Sequence, residues 1–281
     1  MKVLAFTIPK SKRDALILQE DQGIKFYELL HQHEELQISY VKAGAGTLIV
    51  GDAINSYGPG DFIVLGSNLP HVFRSDTSKG AQSHMLTVFF TEESFGSGFF
   101  EVEELKGLKV FFDKAANGFK VENASPEVVA LFEQLQIASP LDRFVAFIQL
   151  LQQLNVVVTQ PLSTFASRKR YSDNEGNRMS AVYEFTITNF RNDISLDMVS
   201  EVASMTKNAF CKYFKQRTNK TYTSFVNELR IEEACHLLRS QPERPVAEIA
   251  EVSGFQNMSH FNRRFKGLKG KTPLEYRKAF T

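Results

Sequence analysis

The side chains best suited to specific binding lie near the C-terminal end of the chain, between Pro245 and Arg277. This stretch predicts a short helix, a turn at Gly254 and a second helix. The second helix carries polar and basic residues on its exposed face: Asn257, Ser259, Asn262, Arg263 and Arg264. Amide, hydroxyl and guanidinium groups hydrogen-bond to base edges, and arginine also binds phosphate. A compact helix-turn-helix with such a face is suited to the major groove of DNA.

The same pattern occurs once earlier in the chain, 50 or 51 residues upstream. Its positions Val199, Ser200, Met205, Phe210, Phe214, Lys215 and Asn219 match Ile249, Ala250, Phe255, Phe261, Phe265, Lys266 and Gly270. Between the copies, residues 223–240 place apolar side chains at helical spacing, so one rigid helix is predicted to join the two units. Recognition helices held about 34 Å apart enter successive major grooves on one face of DNA.

The last hundred residues resemble the DNA-binding domain of the AraC family of transcription regulators. The matching elements are IAxxxGF (Ile249, Ala250, Gly254, Phe255), FxxxFK (Phe261, Phe265, Lys266) and GxTPxxYR (Gly270, Thr272, Pro273, Tyr276, Arg277). The first unit is a looser match, because Ser200 and Ser204 stand where the family usually has alanine and glycine. We expect Phe261 and Phe265 to be core and Gly254 to supply a turn with positive φ.

The resemblance implies which side chains meet DNA. By position, the base-reading residues are Asn208, Cys211 and Lys212 in the first unit and Met258, Ser259, Asn262 and Arg263 in the second. Phosphate contacts, or simply solvated charges, are expected at Lys207, Lys215, Arg264 and Lys266. The implied partners are double-stranded DNA and RNA polymerase, and the implied role is that of a regulator such as an activator.

Charge and composition agree with this division of the chain. Residues 176–281 carry a net charge of +6 and residues 1–175 a net charge of −5, which the total of +1 conceals. A basic module attached to an acidic one suits a DNA-binding domain joined to a domain that avoids DNA. The two cysteines are too few for a disulfide framework or a zinc site, and we expect reduced thiols. Without a leader pattern or a long apolar run, we expect a cytoplasmic protein with no membrane span.

Residues 20–90 show short β-rich runs separated by Gly, Pro, Asn and Asp, which is typical of a small antiparallel barrel or jelly roll. The pieces resemble a cupin: His31 and His33 two apart on a strand, a turn at Gly44 to Gly46, then Pro59-Gly60-Asp61 and Leu69-Pro70-His71. Regulators of the AraC family commonly carry such a barrel as their sensor.

The three histidines allow several kinds of chemistry. The interpretation we favour at this point is a mouth at His31, His33 and His71 that binds a small polar effector through hydrogen bonds, with Tyr27 and Tyr40 on the same wall. The same imidazoles could ligate a divalent metal or could be hydrogen-bonded core residues without a ligand. A metal-dependent cupin usually has a glutamate four or five residues after the second histidine, and this chain has Gln37 and Ile38 there. We therefore expect neither metal nor cofactor, and a protein that is not an enzyme; the rival is a metal-dependent cupin enzyme with an accessory helical domain.

A helical region follows the predicted barrel. Two segments that open with Ser-Pro, at Ser125 and Ser139, predict helices. The second has an apolar stripe at Leu141, Phe144, Val145, Ile148, Leu151 and Leu154, which either packs against the barrel or forms the seam of a homodimer.

These features predict an α+β protein of two domains. A cupin-like β-barrel with trailing helices spans residues 1–162, a polar linker spans 163–178, and an all-α domain with tandem helix-turn-helix units spans 179–281. The expected function is sequence-specific regulation of transcription, with an N-terminal domain that senses an effector, dimerises, or does both. A regulator without any ligand, controlled by its own abundance, remains an alternative.

Overall fold

The computed structural model describes residues 15–77, 82–164 and 173–279, with side chains in the last range from Arg178. These residues form two compact units, one before and one after residues 165–172. The N-terminal unit combines β-sheets with helices, and the C-terminal unit is helical, in agreement with the predicted fold class.

The described part of the N-terminal unit has nine strands in two antiparallel sheets. They are β1 (Ile17–Gly23), β2 (Leu36–Ala43), β3 (Gly46–Val50), β4 (Ala53–Tyr57), β5 (Phe62–Leu65), β6 (His71–Ser75), β7 (Ser83–Phe90), β8 (Phe119–Val121) and β9 (Thr159–Pro161). The larger sheet has the order β1-β7-β2-β5-β8-β9, and the smaller sheet has the order β4-β3-β6.

The predicted cupin-like barrel is open in the described residues. No ladder among the described residues joins an edge of one sheet to an edge of the other; outside the named strands they show a single bridge, between His31 and His71. A barrel closes only when its last strand pairs with its first. The two sheets instead pack face to face, and both contribute to one apolar core, with Val41 and Met85 from the larger sheet and Leu48 and Phe73 from the smaller.

The larger sheet is covered on both faces. Leu36 and Ile38 of β2 join a core with helices, whereas Gln37 and Ser39 between them lie on the opposite face, because successive strand residues alternate sides. All four residues of β5 are fully buried, as expected for a strand packed on both faces. Which face of β2 a side chain occupies therefore decides whether it can belong to a site between the sheets.

Helices follow the strands. Two 3-10 helices (Phe99–Glu101 and Glu103–Leu108) lead into α1 (Lys109–Ala115). The predicted Ser-Pro starts are confirmed in α2 (Pro126–Ile137) and α3 (Pro140–Val156). The Ser125 side chain accepts a hydrogen bond from the backbone N–H of Val128, and the Ser139 side chain accepts one from that of Asp142.

The apolar stripe predicted on α3 is only half buried. The buried residues of this helix are Ala146, Phe147, Leu150, Leu151 and Leu154. Leu141 and Val145, which the stripe included, are 71% and 46% exposed. The packing prediction is therefore correct toward the end of the helix and wrong at its start.

Both ends of the predicted linker are also corrected. Ser163 is buried, and its hydroxyl donates to the carboxylate of Asp52 over 2.6 Å. The same carboxylate accepts from the backbone N–H of Thr164 over 3.0 Å. At the other end a helix already begins at Asp173. The central residues of the predicted linker, 165–172, lie outside the described residues.

The C-terminal unit consists of helices in the described range. They are α4 (Asp173–Asn189), α5 (Leu196–Val202), α6 (Lys207–Thr218), α7 (Tyr222–Ser240), α8 (Val246–Val252), α9 (Met258–Lys269) and α10 (Pro273–Lys278). Helices α5 and α6 form the first helix-turn-helix, and α8 and α9 form the second. Helix α7 joins them, as predicted.

The two units have the same turn. In the first, the backbone N–H of Met205 donates to the carbonyl of Ser200 over 2.9 Å, and in the second Phe255 donates to Ala250 over 2.9 Å. The residue before each donor has positive φ, 52° at Ser204 and 93° at Gly254. Ser204 adopts the left-handed conformation without being glycine, so the looser sequence match of the first unit did not change its turn.

Gly254 also lies in a close contact that ties the second unit to the end of α4. The Arg230 guanidinium of α7 donates to the carbonyls of Phe190 (2.7 Å) and Asn192 (2.8 Å). A Cβ at Gly254 would lie 2.8 Å from the Phe190 carbonyl oxygen and 2.8 Å from Arg230 Nε. The turn of the second unit thus packs directly on this hydrogen-bonded corner.

Gly254→Ala is expected to lower the free energy of unfolding of the C-terminal unit by about 2–4 kcal/mol, because it adds both left-handed strain and a clash with backbone. Gly267→Ala is the matched control: this glycine lies inside α9, and a Cβ added to it would meet no atom within 4 Å, so helix propensity should stabilise by up to about 1 kcal/mol. Urea unfolding of the full chain followed by circular dichroism measures both. Equal stability of the two variants would contradict the proposed contact.

Candidate DNA-binding surface and histidine cluster

Helix α9 separates its apolar and polar faces sharply. Phe261 and Phe265 are fully buried, and the predicted base-reading residues Met258, Ser259, Asn262 and Arg263 are all exposed, as is Lys266. The side chain of Asn257 caps the helix, where its Oδ1 accepts from the backbone N–H of His260 over 2.9 Å. Asn257 therefore positions the start of the helix.

Helix α6 presents an equivalent face. Phe210 and Phe214 are buried, and Asn208, Cys211, Lys212 and Lys215 are exposed. Thr206 caps this helix by accepting from the backbone N–H of Ala209. The repeat seen in the sequence thus places two sets of polar side chains on two capped helices.

Two of the predicted phosphate contacts have local surroundings that the sequence did not indicate. The Lys207 ammonium lies 2.7 Å from an Asp197 carboxylate oxygen, so it already has an acidic neighbour on α5. Arg264 is only partly exposed. Lys215 and Lys266 are open to solvent and suit phosphate contacts without rearrangement.

A polar cavity of about 480 Å³ lies beside the start of α9. Its lining includes the predicted Ser259 and Arg263 and also Gln256, His260 and Arg230, which the sequence analysis did not select. Burial, with the nearby charges of Arg264 and Arg263, lowers the pKa of His260. This histidine is therefore neutral at pH 7 in a positively charged neighbourhood.

The two cysteines differ in environment. Cys211 is exposed on α6, whereas Cys235 is buried in α7 and burial raises the pKa of its thiol to about 12. Cys235 is accordingly an inert thiol of the core. No disulfide bond joins Cys211 to Cys235.

The N-terminal unit brings His31, His33 and His71 together. One ring nitrogen from each lies within 4.8 Å of the others, and all three residues are buried. His31 and His71 also exchange both backbone hydrogen bonds, N–H to O=C over 3.1 and 2.9 Å. His31 and His33 do not lie on a regular strand as predicted: His31 forms this isolated bridge, and His33 follows it before β2 begins.

Backbone carbonyls fix the tautomer of each ring. The Nδ1–H groups of His31, His33 and His71 donate to the carbonyls of Leu29, Glu35 and Leu69, each over 2.8 Å. Because a carbonyl can only accept, Nδ1 must carry the proton in all three, and the lone pair of a neutral ring lies on Nε2. His71 Nε2 has no hydrogen-bond partner among the described residues.

Burial keeps these imidazoles neutral. It lowers the pKa of His31 to about 4, lowers the pKa of His33, and lowers the pKa of His71 well below its usual value. Repulsion from His31 and His33 lowers the pKa of His71 further. Three neutral imidazoles are the form in which histidine ligates a metal ion.

The predicted tyrosines fall on different sides of the sheet. Tyr27 lies edge-on to His31, with ring centroids 5.0 Å apart. It lines a small cavity that His31, His71 and Gln37 also line. Tyr40 stacks on Phe62 at 4.5 Å and contacts Phe132 of α2. Its place on the cluster's wall was wrongly predicted, because Tyr40 belongs to the face of β2 that packs against helices.

Two polar residues that were not selected lie beside the cluster. The Gln37 amide oxygen lies 3.2 Å from His33 Nε2, and its NH₂ group donates to Ser39 Oγ over 2.8 Å. Asp21 of β1 lines the same cavity, held by two hydrogen bonds from the Gln19 amide. The sequence analysis did not select Asp21, because only the pairing of β1 with β7 brings this carboxylate here.

The cavity at the cluster is about 50 Å³, far below the roughly 300–1,000 Å³ of sites for organic ligands. A cleft of about 760 Å³ lies elsewhere in this unit, between residues 66–69 and α1, with Phe100 and Phe112 in its lining. The donor set of the histidine cluster fits a metal ion of the kind that cupins bind: three imidazoles would hold it, and Gln37 stands where a carboxylate would be.

None of the helices in the described ranges is long and apolar enough to cross a membrane.

Comparison with known proteins matches both units. A helix-turn-helix domain model matches residues 199–279, and a cupin domain model matches residues 21–89. The chain is 23% identical over 265 residues to the uncharacterized HTH-type transcriptional regulator YdeC of Bacillus subtilis (strain 168), covering 92% of this chain and 89% of that one.

Two further proteins are similar to this chain over different shares of its length. The HTH-type transcriptional activator RhaS of Escherichia coli O139:H28 is 27% identical over 155 residues, which is 54% of this chain and 52% of RhaS. The structure of ToxT from Vibrio cholerae O395 is 15% identical and has a TM-score of 0.38 over 95% of this chain and 98% of that one. From the family and sequence matches, this chain is a transcription regulator in which a cupin domain precedes a C-terminal helix-turn-helix domain, the arrangement that its resemblance to the AraC family implied.

Proposed function

We propose that α6 and α9 read two neighbouring segments of one DNA face and that the N-terminal unit controls this binding in response to a signal. The observation that carries the proposal is the repeated unit: two identical turns, two capped helices and two exposed polar faces joined by the single helix α7. A rigid joint fixes the spacing of two recognition helices, and half-site spacing then follows from the protein.

Base reading is assigned mainly to Arg263 of α9 and Lys212 of α6. Both side chains are exposed on the faces opposite buried phenylalanines. A guanidinium or ammonium group can donate to the O6 and N7 acceptors of guanine in the major groove. Asn208, Cys211, Met258, Ser259 and Asn262 surround them and contribute hydrogen bonds or apolar contacts.

Phosphate binding is assigned to Lys215 and Lys266, with Arg264 and Lys207 as lesser contributors. The partial burial of Arg264 and the Asp197 partner of Lys207 reduce their availability. Phosphate contacts set register and salt dependence without sequence preference.

The N-terminal unit is proposed to sense its signal at the histidine cluster and to shift the population of the regulator between states with different half-site spacing. The expected partners are the effector, a second copy of the chain and RNA polymerase. The name of RhaS, an activator, supports activation as the outcome.

The rival function, a metal-dependent cupin enzyme, is disfavoured by the neutral amide of Gln37 beside His33 and by relatives named as transcription regulators. The three-histidine cluster and the nearby carboxylate of Asp21 are the observations in its favour. Turnover by the purified protein would be the finding that revives it.

The first experiment is selection of bound sequences from a random DNA pool by the full-length protein, followed by footprinting. Two preferred blocks about one helical turn apart are expected, because both units present a reading helix. A single block would mean that only one unit reads bases. No enrichment, with or without metal ions present, would contradict the proposed function.

Arg263→Ala is expected to weaken binding to the selected site by about 1–3 kcal/mol and to relax base preference at one position. Lys266→Ala on the same helix is the matched control, with a loss that is even across sequences and a smaller salt dependence. Titration of matched and single-base-substituted duplexes distinguishes the two. A uniform loss in Arg263→Ala would reassign this residue to phosphate.

Homodimer formation is assigned to the exposed apolar residues at the start of α3. Leu141 and Val145 are joined there by Ile137 at the end of α2, which is 88% exposed. Leu141→Glu with Val145→Glu should convert a dimer to a monomer in sedimentation velocity, because two buried charges would lack partners. Ile24→Glu, at a 69% exposed residue before β2, should leave the dimer intact. A double variant that still dimerises would place the seam elsewhere.

A further inference from the structure

We propose that the cleft between residues 66–69 and α1 binds an apolar zwitterion of about dipeptide size. Its volume of about 760 Å³ lies within the roughly 300–1,000 Å³ of sites for organic ligands. The cleft shares no lining residue with the small cavity at the histidines. The inference therefore goes beyond the proposed function, because it adds a separate ligand site to the N-terminal unit.

The two walls of the cleft are fixed to each other at one end. A Cβ added to Gly66 would lie 2.4 Å from the Ala115 carbonyl oxygen at the end of α1, so glycine is required for this close approach. In the same loop the Leu69 N–H donates to the Gly66 carbonyl over 3.3 Å, and the Asn68 N–H donates to the His33 carbonyl over 2.7 Å. A cleft whose walls are already held in place costs less entropy to occupy.

Aromatic rings form the apolar part of the lining. Phe100 and Phe112 are both partly exposed, with ring centroids 5.0 Å apart, and Leu36 and Leu69 line the same cleft. A ligand gains free energy when its own apolar surface removes these side chains from water. Aromatic ligands gain further from edge-to-face contact with the rings. The ligand should therefore have an apolar body.

Opposite charges lie one helical turn apart on the α1 side of the cleft. Lys109 and Asp113 both line it and are both exposed, and neither forms an ion pair within the part of the chain that the structure describes. Residues four apart on a helix have Cβ atoms about 5–6 Å apart. Two residues of extended peptide span at most about 7 Å, so the terminal charges of a dipeptide match this spacing.

The remaining charges favour a ligand that carries both signs. A ligand with a carboxylate alone would meet the carboxylates of Glu92 and Asp113, and a ligand with an amine alone would meet the ammonium groups of Lys106 and Lys109. Like charges placed together oppose binding. Lys106 already pairs with Glu103, which leaves Lys109 as the cation for the ligand's carboxylate.

The test is isothermal titration calorimetry of the full-length protein with L-alanyl-L-phenylalanine, without DNA, so that the result is independent of the proposed DNA reading. We expect one dipeptide per chain with a Kd below about 1 mM. The N-acetyl derivative lacks the ammonium group and the C-terminal amide lacks the carboxylate. Each should bind about fivefold more weakly, which is the upper range for the loss of one exposed ion pair.

Glycyl-glycine serves as the probe for the apolar part of the lining. It keeps both charges of the dipeptide and has no apolar side chain, so we expect no measurable binding at 1 mM, about the limit set for alanyl-phenylalanine. Absence of alanyl-phenylalanine binding, or derivatives that bind as tightly as the dipeptide itself, would overturn the proposal.

Variants that neutralise single charges locate the site. Lys109→Gln should weaken dipeptide binding about fivefold and should not weaken binding of the C-terminal amide, which has no carboxylate to lose a partner. Asp113→Asn should weaken dipeptide binding similarly and should not weaken binding of the N-acetyl derivative. Glu104→Gln is the matched control, because this exposed carboxylate lies just before α1 and does not line the cleft.

The changed residues are all exposed, so these variants are expected to keep the fold. Glu104→Gln should bind the dipeptide as the unchanged protein does. Equal dipeptide affinities in the unchanged protein, Lys109→Gln and Asp113→Asn would place the dipeptide elsewhere and overturn the assignment of this cleft.

Discussion

The C-terminal unit of this protein depends on one hydrogen-bonded corner, where the Arg230 guanidinium of α7 donates to the backbone carbonyls of Phe190 and Asn192. Gly254 packs on that corner so closely that a methyl group would collide with it. The joining helix, the end of α4 and the turn of the second unit are thereby fixed to one another. Two recognition helices can read DNA as a pair only if the distance between them stays constant. The DNA-contacting surface therefore depends on the hydrogen bonds that Arg230 makes.

In the N-terminal unit the larger sheet is covered on both faces. Even-numbered and odd-numbered side chains along β2 therefore lie in two different environments. Residues 36, 38 and 40 face the helices, whereas Gln37 and Ser39 face the space between the sheets. This alternation supports a series of hydrogen bonds that runs from Thr87 through Ser39 to Gln37, whose amide oxygen lies 3.2 Å from His33 Nε2. A shift of one residue in this strand would exchange the polar series for an apolar core.

The histidine cluster shows how backbone groups can determine side-chain chemistry. A neutral imidazole carries one N–H group. In each of the three rings, a backbone carbonyl two residues away accepts a hydrogen bond from that group. Each neutral ring then has a lone pair on its other nitrogen, and the three rings lie close together. Residue types alone allowed a hydrogen-bonding pocket, a metal site or an inert core, and the carbonyls fix which nitrogen of each ring carries the proton.

The sequence by itself determined the local features of this protein. The tandem repeat, the glycine turn, the capped Ser-Pro helices and the buried phenylalanines follow from spacing and propensity, which act within a few turns of the chain, and each is found as predicted. Even the serine at the first turn was compatible, since a serine can hold the left-handed conformation when its neighbours enforce it.

Only the tertiary structure decided what depends on contacts between distant segments. The pairing of β1 with β7 brings Asp21 to the histidines, 10 residues from the nearest of them in sequence, and no local pattern indicates it. The open edges of the two sheets, the exposed start of α3 and the placement of Tyr40 against α2 likewise depend on which surfaces meet. Burial and cavity volume are properties of the packed molecule, and for that reason the sequence did not show that the cavity at the histidines is only about 50 Å³.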